Sequence, residues 1–272
     1  MNLAELYSSL NQRITGGETL PFAEKTFVGF YKAFVDGGRW HLYIDGVLNT
    51  LRITAMALIL GVILGILVAV VRTAHDPQRP GRKNPVLGLL NTVCQVYTTI
   101  IRGTPMMVQL LIMGFVIFSK SREFTLVGTL TLGINSGAYV AEIFRGGLMS
   151  VDSGQNEAGR SLGLNYLDTM RFIVVPQAFK NVLPALGNEF IMIIKDTSLG
   201  STFFIGDLMT QYLVVKGATY LPIEPLVIVG VIYFLMTFIL SKVFGHFEKK
   251  TQKADRNNGY GRKRKQQREV HI

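Results

Sequence analysis

Five apolar stretches, near residues 47–71, 87–118, 125–149, 170–195 and 223–244, constrain the fold of this chain more than any other feature. Each is about 22 to 32 residues long, and a hydrocarbon core of about 30 Å takes roughly 20 helical residues. Inside that core the backbone donors and acceptors must be satisfied within the segment, which selects the α-helix. Charged side chains make up only 17% of the 272 residues and the mean hydropathy is +0.32, which excludes an ordinary soluble domain. The expected fold class is an all-α polytopic membrane protein with five transmembrane helices.

Charge placement predicts its orientation. Arg72, Arg79, Arg82 and Lys83 follow the first run, and Arg145, Arg160 and Arg171 flank the connection after the third. Lys249, Lys250, Lys253, Arg256, Arg262, Lys263, Arg264, Lys265 and Arg268 crowd the carboxyl end. The other two connections carry only Lys120 and Arg122 in one and Lys216 in the other. With five crossings, the positive-inside bias puts the amino terminus outside and the carboxyl terminus in the cytoplasm. Residues 1–39 show no short apolar core ahead of a cleavage site, so targeting is expected to fall to the first span. Cys94, the single cysteine, offers no internal disulfide and no thiolate metal site.

Small residues mark where helices approach one another. Ala57, Gly61, Gly65 and Ala69 recur every four residues, and Gly133, Gly137 and Ala141 repeat the device, a pattern for close packing within one subunit or across a seam between two. Arg102, Gly103, Thr104 and Pro105 are expected to break the second span, and Pro176 and Pro184 to bend the fourth. Aromatic residues scattered through positions 1–46 suggest an interfacial helix near the outer surface. The polar, basic tail after Phe247 is expected to lack fixed structure.

Between the third and fourth runs lies a polar stretch, EAGRSLGLNYLDTMRFIVVP, at residues 157–176. Asp152 is placed to cap a helix and Gly163 to end it. The implied rod of about ten residues is about 15 Å long, too short to cross a membrane. Ala158 and Leu162 share one face, while Glu157 and Arg160 are spaced to pair. Such a helix suits a groove on a partner protein, and an ordinary amphipathic connection has the same pattern.

Charged and amide side chains inside the runs are candidates for a solute pathway, because leaving them in lipid is costly. Glu142 shares a helix face with Asn135 and Tyr139, a setting for the amino group of a substrate or for a structural pair with Arg145. Asn181, Asn188 and Lys195 recur at seven-residue spacing, as do Glu189 and Asp196. They line the same cavity or serve as interhelical hydrogen bonds.

The order Glu157, Ala158, Gly159, three residues, Gly163, nine residues, Ile173, one residue, Val175, Pro176 resembles the EAA loop of ABC importer permeases. Gly159 and Val175 depart from the EAA and LP positions of that pattern, which weakens side-chain contact at Gly159 without removing the docking surface. IRGTPMMVQ at 101–109, AYVAEIFRGG at 138–147, PQAF at 176–179 and KDTSL at 195–199 are similar to the permeases that carry polar amino acids. The resemblance implies a type I ABC importer transmembrane domain over residues 44–245, between an extracytoplasmic or interfacial segment (1–43) and a basic cytoplasmic tail (246–272). It implies a multi-pass permease subunit of a bacterial cytoplasmic membrane, working with an ABC ATPase, a second permease copy or homologue, and an extracytoplasmic substrate-binding protein. The coupling residues would be Glu157, Ala158, Gly159, Arg160, Leu162 and Gly163.

No phosphate-cradling glycine loop with its lysine is present. No catalytic residue, metal or cofactor is therefore expected in this chain, ATP and magnesium belonging to the partner. The cargo implied is glutamine-like, with glutamate, arginine, histidine and cystine as further options. A secondary amino acid transporter or a channel would share the spans, but needs no docking helix and leaves five spans without an inverted repeat. Topology and attraction to anionic lipid already account for the basic tail, so no nucleic-acid role is expected.

Overall fold

The computed structural model describes the backbone of residues 2–75 and 84–269 and the side chains of those residues up to 250. Arg79, Arg82 and Lys83, and the side chains of the basic residues after Lys250, lie outside the described residues. The described secondary structure is helical: α1 (Leu3–Thr15), α2 (Phe22–Phe34), α3 (Trp40–His75), α4 (Pro85–Gly103), α5 (Met106–Ile112), α6 (Phe124–Met149), α7 (Ser153–Ser161), α8 (Tyr166–Thr169), α9 (Val175–Asp196), α10 (Leu208–Thr219) and α11 (Glu224–Glu269). The chain divides into two compact units, residues 1–55, 106–129 and 194–236 in the first and 56–105, 130–193 and 237–272 in the second.

Local chemistry sets several helix ends. The Asn84 side chain accepts from the backbone N–H of Val86 at 3.0 Å and of Leu87 at 3.4 Å, with Pro85 in the first turn of α4 where a missing donor costs nothing. As expected, the second run is broken: α4 stops at Gly103, and the segment from Met106 leaves at a bend of 108°. Pro176 falls in the first turn of α9, directly after a π-helical turn at Met170–Val174, and α9 stays one helix through Pro184.

Three helical segments, Asp36–His75, Phe124–Met149 and Glu224–Lys250, are long and apolar enough to cross a membrane, and the bent pair adds a fourth if it is one span. The fifth expected span, carried by α9, is not among them. Lys180, Asn181, Asn188, Glu189 and Lys195 punctuate it with polar groups, so its length is that of a span while its composition is not. The tail also differs from expectation, because α11 continues as helix to Glu269. Lys, Arg, Gln and Glu, which dominate the tail, are good helix formers.

In the first unit, Ala33, Tyr43, Leu208, Tyr212, Val215 and Val229 form a buried cluster that joins α2 to α3, α10 and α11. The Tyr43 hydroxyl donates to the Ala33 carbonyl at 3.1 Å, and the Leu208 N–H donates to Thr50 Oγ1 at 3.0 Å. Asp207, fully buried, caps α10 by accepting from the Met209 and Thr210 N–H groups at 3.0 and 3.1 Å and from the Tyr233 hydroxyl at 3.2 Å. The amino-terminal helices are thus tied into a core, with the Tyr7 and Tyr31 rings stacked at 4.4 Å between them.

In the second unit, the two small-residue faces meet. A Cβ at Gly61 would lie 2.7 Å from Ser136 Oγ, one at Gly65 2.9 Å from the Ala141 backbone nitrogen, and one at Gly133 2.7 Å from Leu60 Cδ2. Close packing of α3 on α6 within one subunit therefore accounts for both stripes. α4 joins them through Tyr97, whose hydroxyl donates to the Ile134 carbonyl at 2.6 Å.

Candidate functional site

The polar connection after α6 folds much as its residues dictate. The Asp152 side chain accepts from the Gly154 N–H at 2.7 Å, which starts α7. At its other end Gly163 adopts φ +82°, a conformation that glycine reaches without a Cβ clash. The Leu164 N–H then donates to the Gly159 carbonyl at 3.1 Å and the Gly163 N–H to the Arg160 carbonyl at 3.0 Å, a Schellman ending.

Glu157, Ala158, Arg160 and Leu162 face outward, Leu162 with 80% of its surface exposed. Gly163 also opens to free space on its Cβ side. Gly159 behaves differently from the others. It is buried, and a Cβ there would lie 2.8 Å from Thr169 Cγ2 and 3.0 Å from Ile173 Cδ1. Its missing side chain lets α7 sit directly on α8 and the π-helical turn that leads into α9. Gly159 is therefore a packing position, and the outward surface belongs to its neighbours.

The second cluster gathers around Glu142. Its carboxylate pairs with Arg72, with Arg102 at 3.9 Å and with Arg145 at 3.8 Å. The Arg102 guanidinium also lies over the Tyr139 ring, 5.5 Å from its centroid. The structural pair with Arg145 thus forms, and two further arginines join it. Three cations around one anion leave the cluster with net positive charge. Asn135 is buried on the same helix.

The remaining pathway candidates all lie on α9. Asn181 is exposed and donates to Ser150 Oγ at 2.8 Å, and Asn188 is exposed on α9. Asp196 is half-buried and belongs to the first unit, whereas the Glu142 cluster belongs to the second. Arg72 and Arg102 escaped the sequence reading because one looked like a flanking charge and the other like part of a helix break. The signal available was Glu142 itself, since a carboxylate in an apolar helix requires counter-charges. Thr169, which closes on Gly159, carried no sequence signal.

Residues 61–253 match the family described as binding-protein-dependent transport system inner membrane component. The arginine transport system permease protein ArtQ of Bacillus subtilis is 34% identical over 217 residues, covering 78% of this chain and 93% of that protein. The glutamine transport system permease protein GlnP of Escherichia coli is 34% identical over 214 residues, covering 77% of this chain and 92% of that protein. Among solved structures, an amino acid ABC transporter with histidines superposes with a TM-score of 0.69 at 39% identity, over 77% of this chain and 94% of that one. The methionine ABC transporter MetNI, in an inward-facing form, shares the fold with a TM-score of 0.67 at 18% identity, over 80% of this chain and 99% of that one.

Proposed function

The chain belongs to the family of binding-protein-dependent transport system inner membrane components, and we propose that it is one permease half of an ATP-driven importer of polar amino acids, glutamine-like cargo being favoured. The observation that carries the proposal is α7: a short capped helix with an outward face of Glu157, Ala158, Arg160 and Leu162, seated through Gly159 on the turn that opens α9. A partner ATPase that grips this face pulls on α9 as it closes around ATP, and the permease alternates between two access states whose balance nucleotide shifts.

ATP and magnesium are held by that partner, and this chain contributes no catalytic group. An extracytoplasmic binding protein delivers the cargo, and a second permease half, identical or homologous, completes the pathway. The subunit lies in the bacterial cytoplasmic membrane with its amino terminus outside, an orientation supported by the charge bias of its connections. Relatives that carry arginine and glutamine support the choice of cargo class.

Within the pathway the Glu142 cluster, with Asn135 and Tyr139, is the strongest contact region, and Asn181, Asn188 and Asp196 are secondary ones. The net positive cluster favours the carboxylate end of an amino acid over its ammonium end. ATP-driven uptake of labelled glutamine and arginine into proteoliposomes tests the proposal. Gly163→Trp, which pushes a ring into the docking space, should abolish ATP-driven uptake. Wild-type uptake by that variant would refute coupling through α7.

A further inference from the structure

Two aromatic residues are held in a conformation that suits glycine. Phe204 has φ +53° and Tyr220 φ +59°, and among the described residues these are the non-glycine positions with positive φ. Each ends a helical segment: Phe204 follows the 3₁₀ stretch Thr197–Phe203, and Tyr220 follows α10. Glycine or asparagine is the usual residue at such an end, because a Cβ in the left-handed region is strained. Neither ring recovers that cost by burial within the chain, Phe204 being 64% and Tyr220 87% exposed.

Both rings line one cavity of about 450 Å³, together with Leu213, Lys216, Gly217 and Pro222. A Cβ at Gly217 would meet open space, so the hollow is not filled by the chain itself. The segment around Phe204 is tied to the start of α6, where Phe203 stacks on Phe124 at 6.2 Å and the Thr125 hydroxyl donates to the Ile205 carbonyl at 3.0 Å. That brings the α5–α6 connection, with exposed Lys120, Arg122 and Glu123, alongside. Lys216 lines the hollow itself, and Lys120 and Arg122 are the basic residues of the other connection read as extracytoplasmic.

We propose that this cavity is the contact point for the extracytoplasmic binding protein, which inserts an apolar side chain between Phe204 and Tyr220 and sets acidic groups against Lys216, Lys120 and Arg122. The inference rests on the permease reading above. Strain without internal compensation marks a position kept for something outside the chain. Exposed rigid aromatics around a pocket with a flanking cation have the composition of an interface hot spot, and the charge calls for an acidic partner.

The test uses the transporter assembled with its ATPase in lipid nanodiscs and titrated with its cargo-loaded binding protein, ATP hydrolysis being the readout. Gly217→Leu fills the hollow, and Tyr220→Gly removes a ring while relieving the left-handed turn. Both variants should co-purify with the ATPase, and Tyr220→Gly should melt no lower than wild type. For each, the binding-protein concentration giving half-maximal stimulation should rise about tenfold, the size of a lost hot spot. Half-maximal concentrations within about twofold of wild type would overturn the inference, since a lost hot spot costs more than that. So would a fall in melting temperature with unchanged half-saturation, the signature of rings that anchor the chain in lipid headgroups. A wild type that the binding protein fails to stimulate would take down the permease reading itself, and this site with it.

Discussion

Glu142 and Gly159 carry opposite lessons about single residues. The Arg72 side chain is only 15% exposed and Glu142 29%, while Arg102 is 45% exposed. Removing one partner of a buried ion pair costs about 3–5 kcal/mol, and this cluster is partly open. Glu142→Gln should therefore cost about 2–3 kcal/mol, and Arg102→Gln under about 1 kcal/mol, as surface pairs do. Thermal unfolding of the two variants in the same detergent checks this, and equal losses would show that Glu142 is not the hub. At Gly159 the shortage is of space. Gly159→Ala, which restores the alanine of the EAA pattern, should cost about 1–3 kcal/mol by overpacking against Thr169 and Ile173. Adding Thr169→Ala clears the nearest atoms and should restore both stability and ATP-driven uptake, whereas a double variant as impaired as the single one would remove the contact from the account. The sequence marked Glu142 because a carboxylate among apolar residues is conspicuous. It was silent on Thr169, whose position depends on a π-helical turn that no local pattern announces.

Among the elements, the α3–α6 seam is where spacing was most legible. Four-residue repeats of small side chains specify a face, and two such faces have an evident partner in each other. What spacing left open was whether that partner lay in the same chain, and the approach of Gly61, Gly65 and Gly133 to Ser136, Ala141 and Leu60 answers it. Gly65→Ala should lower the melting temperature, because its Cβ would press on backbone as well as on Val140, at a cost of about 1–3 kcal/mol. Gly88→Ala, inside α4 with nothing near its Cβ, should instead be neutral or gain up to about 1 kcal/mol from helix propensity. Thermal melts of both separate close packing from general intolerance of side chains, and two equal losses would contradict the seam. The bend at Gly103 to Met106 followed from proline chemistry, while the unbroken passage of α9 through Pro184 did not, since a helix packed on its neighbours tolerates a lost hydrogen bond that an isolated one would not.

For the whole molecule, fold class followed from run length alone, because a bilayer leaves few alternatives. By length and composition together three segments and the bent pair qualify as spans, while α9 is as long as a span but more polar. The functional reading came from the connection between α6 and α9 and from motifs ordered along the chain, and little of it from overall composition. The account stands or falls on whether α7 is gripped by an ATPase, so the most direct measurement is affinity purification of the tagged chain from its native membrane in mild detergent, beside Gly163→Trp, with mass spectrometry of the retained proteins. The account predicts an ATPase subunit held by the wild type and lost from the variant, with any second permease half retained by both. Full-length, folded wild-type chain recovered without an ATPase, or an ATPase held equally by both chains, would contradict it.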